Sequence, residues 1–403
     1  MGVYGEYLNQ PLARDFGLLT AERKKQLSRI SQARGGRDVL VFAADISKAV
    51  PGISIEYGDL APINDLLSGL TADKLDLILE TPGGSGEVAE DIVRILHSKY
   101  KEVAVIVPGW AKSAGTLLTM AADEILMGPS SALGPIDAQL IWQGKRFSAD
   151  ALLEAFEKIK QEVQSTGNLN KAYIPMLQGI SPGELQSAEN ALSFAKDLTR
   201  EWLVQYKFKN WSTHQTDAVK VGQPVTLDDK RQRAEEIASK LGDHRKWLVH
   251  GRSINMQDLR DMRLLITDYS SNSELNDAIL RYQALMQISF TSTNLYKIFE
   301  TSNSQVLRFV APNVPAPMMI GAPAGPMAVI PNAPGMAIFD VNCSCGTAIK
   351  VQANFGKKQP LQAGAIPYPK DDKIRCPKCG TEHNLAGAKR QLEAQTKQRV
   401  ILN

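Results

Sequence analysis

Cysteine is absent until residue 343, and all four cysteines, Cys343, Cys345, Cys376 and Cys379, fall in one C-terminal cluster. Paired at metal-ligand spacing, they leave none over for a disulfide framework, so a reducing, cytoplasmic location is expected. A secretory signal pattern is missing too: the first thirty residues alternate charged and apolar groups without a continuous hydrophobic core. The longest uncharged stretch, Phe309 to Phe339, holds seven prolines and three glycines, which makes it a linker and not a transmembrane segment. Charge of one sign is scarce as well. A net charge of +3 does not by itself mark a nucleic-acid or membrane surface. With 43% apolar and 22% charged residues, the composition excludes wholesale disorder, and 403 residues call for one large domain and at least one smaller one.

What is present is an alternation. Residues 1–35 read as an amphipathic helical lead-in that stops at Gly35-Gly36. Apolar runs at Val39–Ala44, Leu75–Glu80, Val103–Val107 and Ile125–Met127 read as buried strands. Between them Leu60–Leu70, Val88–Leu96 and Ala114–Ala122 carry helical spacing, which predicts βαβ units and an α/β fold with a mostly parallel sheet. After about residue 148 the strand signal stops; Ala149–Val163, Pro182–Lys207 and Arg231–Leu241 read as helices, and 270–300 as helical or mixed. The predicted organisation is a domain over 1–304, a Pro/Ala/Met-rich linker over 305–337, a compact module over 338–386 and a charged helical tail over 387–403.

Two strand-to-helix loops carry candidate chemistry. Thr81-Pro82-Gly83-Gly84-Ser85-Gly86 can expose backbone N–H groups toward a developing negative charge or a phosphate, and as a tight turn it needs no ligand at all. Pro108-Gly109-Trp110-Ala111-Lys112-Ser113-Ala114-Gly115-Thr116 places Ser113 at a helix start, as a nucleophile or simply as a helix cap.

Taken together, Thr-Pro-Gly-Gly on one unit and Lys-Ser-Ala-Gly-Thr on the next resemble the Clp protease and signal peptide peptidase A families. The continuation Met120-Ala-Ala-Asp-Glu-Ile125 and Ala132-Leu-Gly-Pro-Ile-Asp-Ala-Gln139 is most similar to the serine dehydrogenase proteinase family. The resemblance spans roughly residues 25–300. It implies a Clp protease/crotonase-like ββα spiral, with Ser113 as nucleophile and the N–H groups of Gly83, Gly84 and Ala114 as oxyanion donors. Protein or peptide substrates and a homo-oligomer are implied as well.

Serine needs a base. The Clp-type histidine should lie between Ser131 and Gln139, where none occurs. The signal peptide peptidase branch uses a lysine instead, and its lysine segment resembles Asn170-Lys171-Ala172-Tyr173-Ile174-Pro175-Met176. Lys171 is therefore the expected base, with Tyr173, Ile174, Met176 and Leu177 available to desolvate it. Lys158, Lys160 and His250 are its rivals. His250, like Asp137, is read primarily as a supporting residue that could orient a base or substrate, and Lys112 precedes the helix with its side chain expected to point away from Ser113.

Cys343-Ser-Cys345-Gly and Cys376-Pro-Lys-Cys379-Gly, thirty residues apart, form a zinc-ribbon pattern with a structural zinc. His383 is spare. Lys357, Lys358, Lys370, Lys373, Arg375 and Lys378 make this module basic, so it could bind an acidic protein partner or nucleic acid. Two other readings compete with the peptidase: an inert scaffold whose ribbon does the binding, and crotonase-type acyl-CoA chemistry with Glu87 as the acid.

Overall fold

The computed structural model describes residues 2–142, 145–215, 219–310, 335–343, 345, 347–396 and 398–401. They belong to two compact units, Met1–Val310 and Ala311–Asn403. Residues 311–334, the greater part of the expected linker, lie outside the described residues.

In the first unit, α1 (Val3–Leu8) and α2 (Phe16–Ala33) lead into β1 (Asp38–Ala44), α3 (Leu60–Ser68), β2 (Lys74–Glu80) and α4 (Gly86–Lys99). Then come β3 (Glu102–Val107), β4 (Trp110–Ala111), α5 (Ala114–Met120), β5 (Glu124–Met127) and β6 (Ala132–Leu133). A hairpin of β7 (Gln139–Trp142) and β8 (Lys145–Ser148) precedes α6 (Ala149–Thr166), α7 (Ile174–Gln178), α8 (Pro182–Trp202), α9 (Leu227–Leu241), α10 (His244–Trp247) and α11 (Met256–Asp261). The unit ends with β9 (Thr267–Asp268), α12 (Ser273–Ser292), β10 (Leu295–Glu300) and β11 (Gln305–Phe309).

Seven of these strands form one sheet in the order β11-β10-β1-β2-β3-β5-β9. The five from β1 to β9 run parallel, and β10 and β11 add antiparallel at one edge. Helices cover both faces, which is why the central strands read as continuous apolar runs. Leu40, Phe42, Leu77, Leu79, Val105 and Val107 face α3, α4, α5, α8 and α9, while Val39, Val41, Ile78, Ala104 and Ile106 face α2 and α12.

The strand signal does not stop at residue 148. β10 lies beside β1, one strand in from the sheet edge, and β11 extends the sheet past residue 304 into the expected linker. The β10 sequence, Leu-Tyr-Lys-Ile-Phe-Glu, hides this because Lys297 and Glu300 look solvated. Both are fully buried and paired. Lys297 Nζ lies 3.0 Å from Asp59, and Glu300 binds Arg23 at 2.9 Å and the Tyr282 hydroxyl at 2.6 Å.

Among the described residues, the buried Glu80 carboxyl has no cation paired with it. Glu80, the last residue of β2, accepts from Gln287 of α12 at 2.7 Å and faces Gln283 and the charge of Asp45. Burial, reinforced by Asp45, pushes its pKa up to about 8, so it is held protonated at neutral pH. A carboxyl whose pKa is raised on folding contributes stability below its unfolded pKa and loses it as pH climbs through the folded value. Glu80→Gln should therefore abolish a loss on the order of a few kcal/mol between pH ~5 and ~8. Urea midpoints of the two proteins across that range check this.

The second unit consists of β12 (Met336–Asn342), β13 (Ala348–Phe355), β14 (Ala365–Pro367), β15 (Lys373–Arg375), β16 (Glu382–Asn384), α13 (Ala386–Thr396) and β17 (Val400–Ile401). β13 pairs with β12, β14 and β17. Leu392 and Val400 are buried with Val351, Phe355 and Tyr368, so the expected charged tail is part of this core.

Candidate functional site

The glycine loop after β2 is fixed from both sides. Ile55 N–H donates to Gly83 O (2.8 Å) and Ser85 N–H to Ile55 O (3.0 Å), while Thr81 N–H donates to Trp110 O and Lys112 N–H to Thr81 O. Ser85 then caps α4 through its hydroxyl, which accepts from Val88 N–H at 3.1 Å. Gly83 (φ +98°) and Gly84 (φ +153°) are the residues that permit this path. A Cβ on Gly83 would lie 2.6 Å from both Lys112 O and Ser113 Cβ.

Ser113 stands at the start of α5, yet its hydroxyl makes no capping hydrogen bond. Its backbone, at φ 51° and ψ −116°, lies in a region that non-glycine residues rarely occupy and that costs about 1–3 kcal/mol. A serine placed only to cap a helix has ordinary extended geometry, so the cap reading fails on both counts. Ser113 lines a cavity of about 820 Å³ with Gly83, Gly84, Ala114, Leu117, Ile136, Asp137, Phe194 and His250. The Gly83 N–H is already occupied, donating to Thr81 Oγ1 at 3.1 Å. Among the described residues no acceptor is assigned to the N–H of Gly84 or Ala114, so these two of the three expected donors remain available.

The same cavity contains a histidine–aspartate pair. Asp137 is buried, and its Oδ1 lies 2.7 Å from His250 Nδ1. Its other oxygen accepts from Gln139 at 2.9 Å and lies 3.6 Å from His244 Nδ1. Burial opposes ionisation, but the His250 bond and the charges of His250 and His244 outweigh it and hold the Asp137 carboxyl below the usual range. A carboxylate that only accepts fixes the proton on His250 Nδ1 and leaves Nε2 as the acceptor nitrogen.

The lysines lie elsewhere. Lys171 is exposed on the single turn Lys171–Tyr173 after α6 and is not among the residues lining the Ser113 cavity. The apolar shelter expected for it does not form: Ile174 and Met176 are 39% and 40% exposed, and the Tyr173 hydroxyl donates to Glu162. The structure therefore does not bring Lys171 to the Ser113 cavity, and the desolvation expected around it is missing. Lys158 and Lys160 are solvated partners of Glu154 and Glu157. Glu87, chiefly through the Ser85 hydroxyl, is held below the usual carboxylate range, which leaves it no proton to give as a crotonase acid.

In the second unit the four cysteine sulfurs lie within 4.8 Å of one another, with Cys343 and Cys379 at 3.3 Å and Cys345 and Cys376 at 3.6 Å. Thiolates ~2.3 Å from a tetrahedral zinc stand at such separations, so the donor set fits this ion. Hydrogen bonds from the Thr381 hydroxyl and N–H lower the Cys379 thiol to about 6. His383 is buried on β16 and is not one of the four clustered donors.

Residues 14–174 match the family described as ClpP-like SDH-type serine proteinase. Two relatives, both uncharacterized proteins of Methanocaldococcus jannaschii, are MJ1495, 33% identical over 190 residues, and MJ0137, 32% identical over 145 residues. These alignments cover 44% and 35% of this chain, and the chain spans 64% and 49% of the two relatives' lengths. Among solved structures, a mutant of the 1510-N membrane-bound stomatin-specific protease is 23% identical, with 38% of this chain and 72% of that one covered and a TM-score of 0.21. A second mutant of that protease, in complex with a substrate peptide, is 22% identical, with coverages of 49% and 78% and a TM-score of 0.20. Over residues 14–174, with a mostly parallel sheet and a serine at the start of α5, the chain is similar to the ClpP-like SDH-type serine proteinases.

Proposed function

We propose that the first unit is a serine peptidase that cleaves protein substrates through an acyl-enzyme on Ser113. The observation that carries this reading is the strained, uncapped Ser113 on the same cavity as an Asp137-held His250. Ser113 Oγ attacks the scissile carbonyl while His250 Nε2 takes its proton, and Asp137 stabilises the imidazolium that results. The oxyanion is met by the N–H groups of Gly84 and Ala114, donors whose directions are set before substrate arrives. The imidazolium returns the proton to the leaving amine, and water repeats the sequence to release the acid. His250 thus replaces Lys171 as the base in this account. Family likeness also supports assembly into a homo-oligomer. Incubation with a denatured, dye-labelled protein should give fragments that disappear with Ser113→Ala; fragments persisting in that variant would reject the proposal.

The second unit is proposed to hold one structural zinc on Cys343, Cys345, Cys376 and Cys379. Four thiolates leave no open position, so the metal would stabilise this unit's fold and take no part in hydrolysis. Metal analysis of the full chain should find about one zinc per chain. Replacing Cys376 and Cys379 by serine should remove it and expose 335–401 to limited proteolysis. A metal-free but protease-resistant wild type would contradict this. Among the described residues, no helix is long and apolar enough to cross a membrane.

A further inference from the structure

Lys112 has no place in the peptidase scheme, yet its contacts reach each part of the site. Its backbone N–H donates to Thr81 O at the root of the glycine loop, and its carbonyl accepts from Gly115 N–H in the first turn of α5. Its side chain runs over Gly134, where an added Cβ would come within 2.8 Å of Lys112 Cδ. The ammonium ends on three neutral acceptors: Leu133 O at 2.9 Å, Ser253 Oγ at 3.0 Å and Arg252 O at 3.2 Å.

Two of those acceptors belong to the turn that carries His250. This turn is weakly determined by its own sequence. It begins at Leu248, a non-glycine residue at φ +66° whose side chain is 66% exposed, and Val249 after it is 60% exposed. Gly251, Arg252 and Ser253 are exposed as well. Beyond its internal bonds, the turn is tied at His250 to Asp137, at 252–253 to Lys112, and just after it by the reciprocal backbone bonds of Ile254 and Leu133. Burial lowers the Lys112 pKa to about 8, with no carboxylate to offset it. A packing role alone would be filled more cheaply by an uncharged chain of the same length.

We propose that Lys112 is a positioning residue: its ammonium joins the Ser113 loop to the 250–253 turn and sets the distance over which Ser113 hands its proton to His250. This inference rests on the reading of His250 as the base. A misplacement of about 1 Å at such a pair reduces rate by up to ~100-fold without removing either group.

The test is a double-mutant cycle read as the first-order rate constant for acylation of Ser113 at saturating fluorophosphonate. Lys112→Met should slow acylation ~10- to 100-fold with the half-saturating concentration changed less than about twofold. Lys112→Arg, which keeps donors at that place, should recover part of the loss. In a His250→Gln background, Lys112→Met should add almost nothing, because a residue acting through His250 has nothing left to position. An equal additional loss in both backgrounds would overturn the proposal, as would a wild-type rate in Lys112→Met. If Lys112→Met fails to fold, Ser253→Ala removes one acceptor from the opposite side and should show a smaller loss with the same dependence on His250; a loss indifferent to His250 overturns the proposal equally. Failure of the base reading appears separately, as a His250→Gln protein that acylates at the wild-type rate.

Discussion

Acylation of Ser113 by a fluorophosphonate should slow roughly 1,000-fold or more when His250 is replaced by glutamine, and by less than about twofold when Lys171 is replaced by methionine. The contrast follows from where the two side chains lie. A general base has to reach the proton it removes and has to be unprotonated when it does so. His250 shares a cavity with Ser113 and is held through Nδ1 by a buried carboxylate, which leaves Nε2 as the nitrogen free to accept. Lys171 sits on an exposed turn whose apolar neighbours are themselves exposed, and it is not among the residues lining the Ser113 cavity. Stopped-flow or gel-based labelling of the two variants at saturating reagent separates them. A slow Lys171→Met protein beside a fast His250→Gln protein would return the mechanism to the lysine branch of the superfamily.

The second large effect is expected at Gly83. Alanine there is asked to adopt φ +98° with its Cβ 2.6 Å from Lys112 O and from Ser113 Cβ. Both neighbours are fixed: Lys112 is tied to Thr81 by its N–H, and the Ser113 carbonyl accepts from Thr116 and Leu117 in the first turn of α5. The loop must therefore move off the nucleophile, taking the Gly84 N–H with it. Gly83→Ala should lower peptidase activity by about 100-fold or more, because displaced oxyanion donors each carry factors of that size. The accompanying loss of stability should be on the order of 1–3 kcal/mol for the left-handed conformation, and the protein should still fold. Circular dichroism melts beside hydrolysis rates would establish both halves. Full activity in this variant would mean that the loop does not hold the oxyanion.

How much of this was legible in the sequence depended on how local the signal was. The two loops could be read because their meaning lies in consecutive residues: glycines that must follow a strand, and a serine that must open a helix. The cysteines were readable for the same reason, since a pair at close spacing on a turn has few other uses. The pairing of Asp137 with His250 was not, because 113 residues separate them and only the packed fold brings them to 2.7 Å. His250 itself stood out, but nothing nearby in the chain distinguished a base from a turn residue.

The strands lost after residue 148 illustrate a different obscurity. Periodicity treats Lys297 and Glu300 as solvent-facing, while the fold buries both by supplying Asp59, Arg23 and Tyr282 from distant segments. Asp76 repeats the pattern on β2, where Arg34 and Arg37 meet it from the chain ahead of β1. The surroundings of Lys171 depart from the pattern in the opposite direction. Its apolar neighbours promised burial, but on the short helix α7 Ile174 and Met176 remain 39% and 40% exposed.

The most direct test of the account is intact-protein mass spectrometry after brief treatment with a fluorophosphonate, followed by peptide mapping. The account predicts a single adduct, on Ser113, that is absent from Ser113→Ala and forms far more slowly in His250→Gln. No adduct on the folded wild-type protein, or an adduct on a different serine, would contradict it.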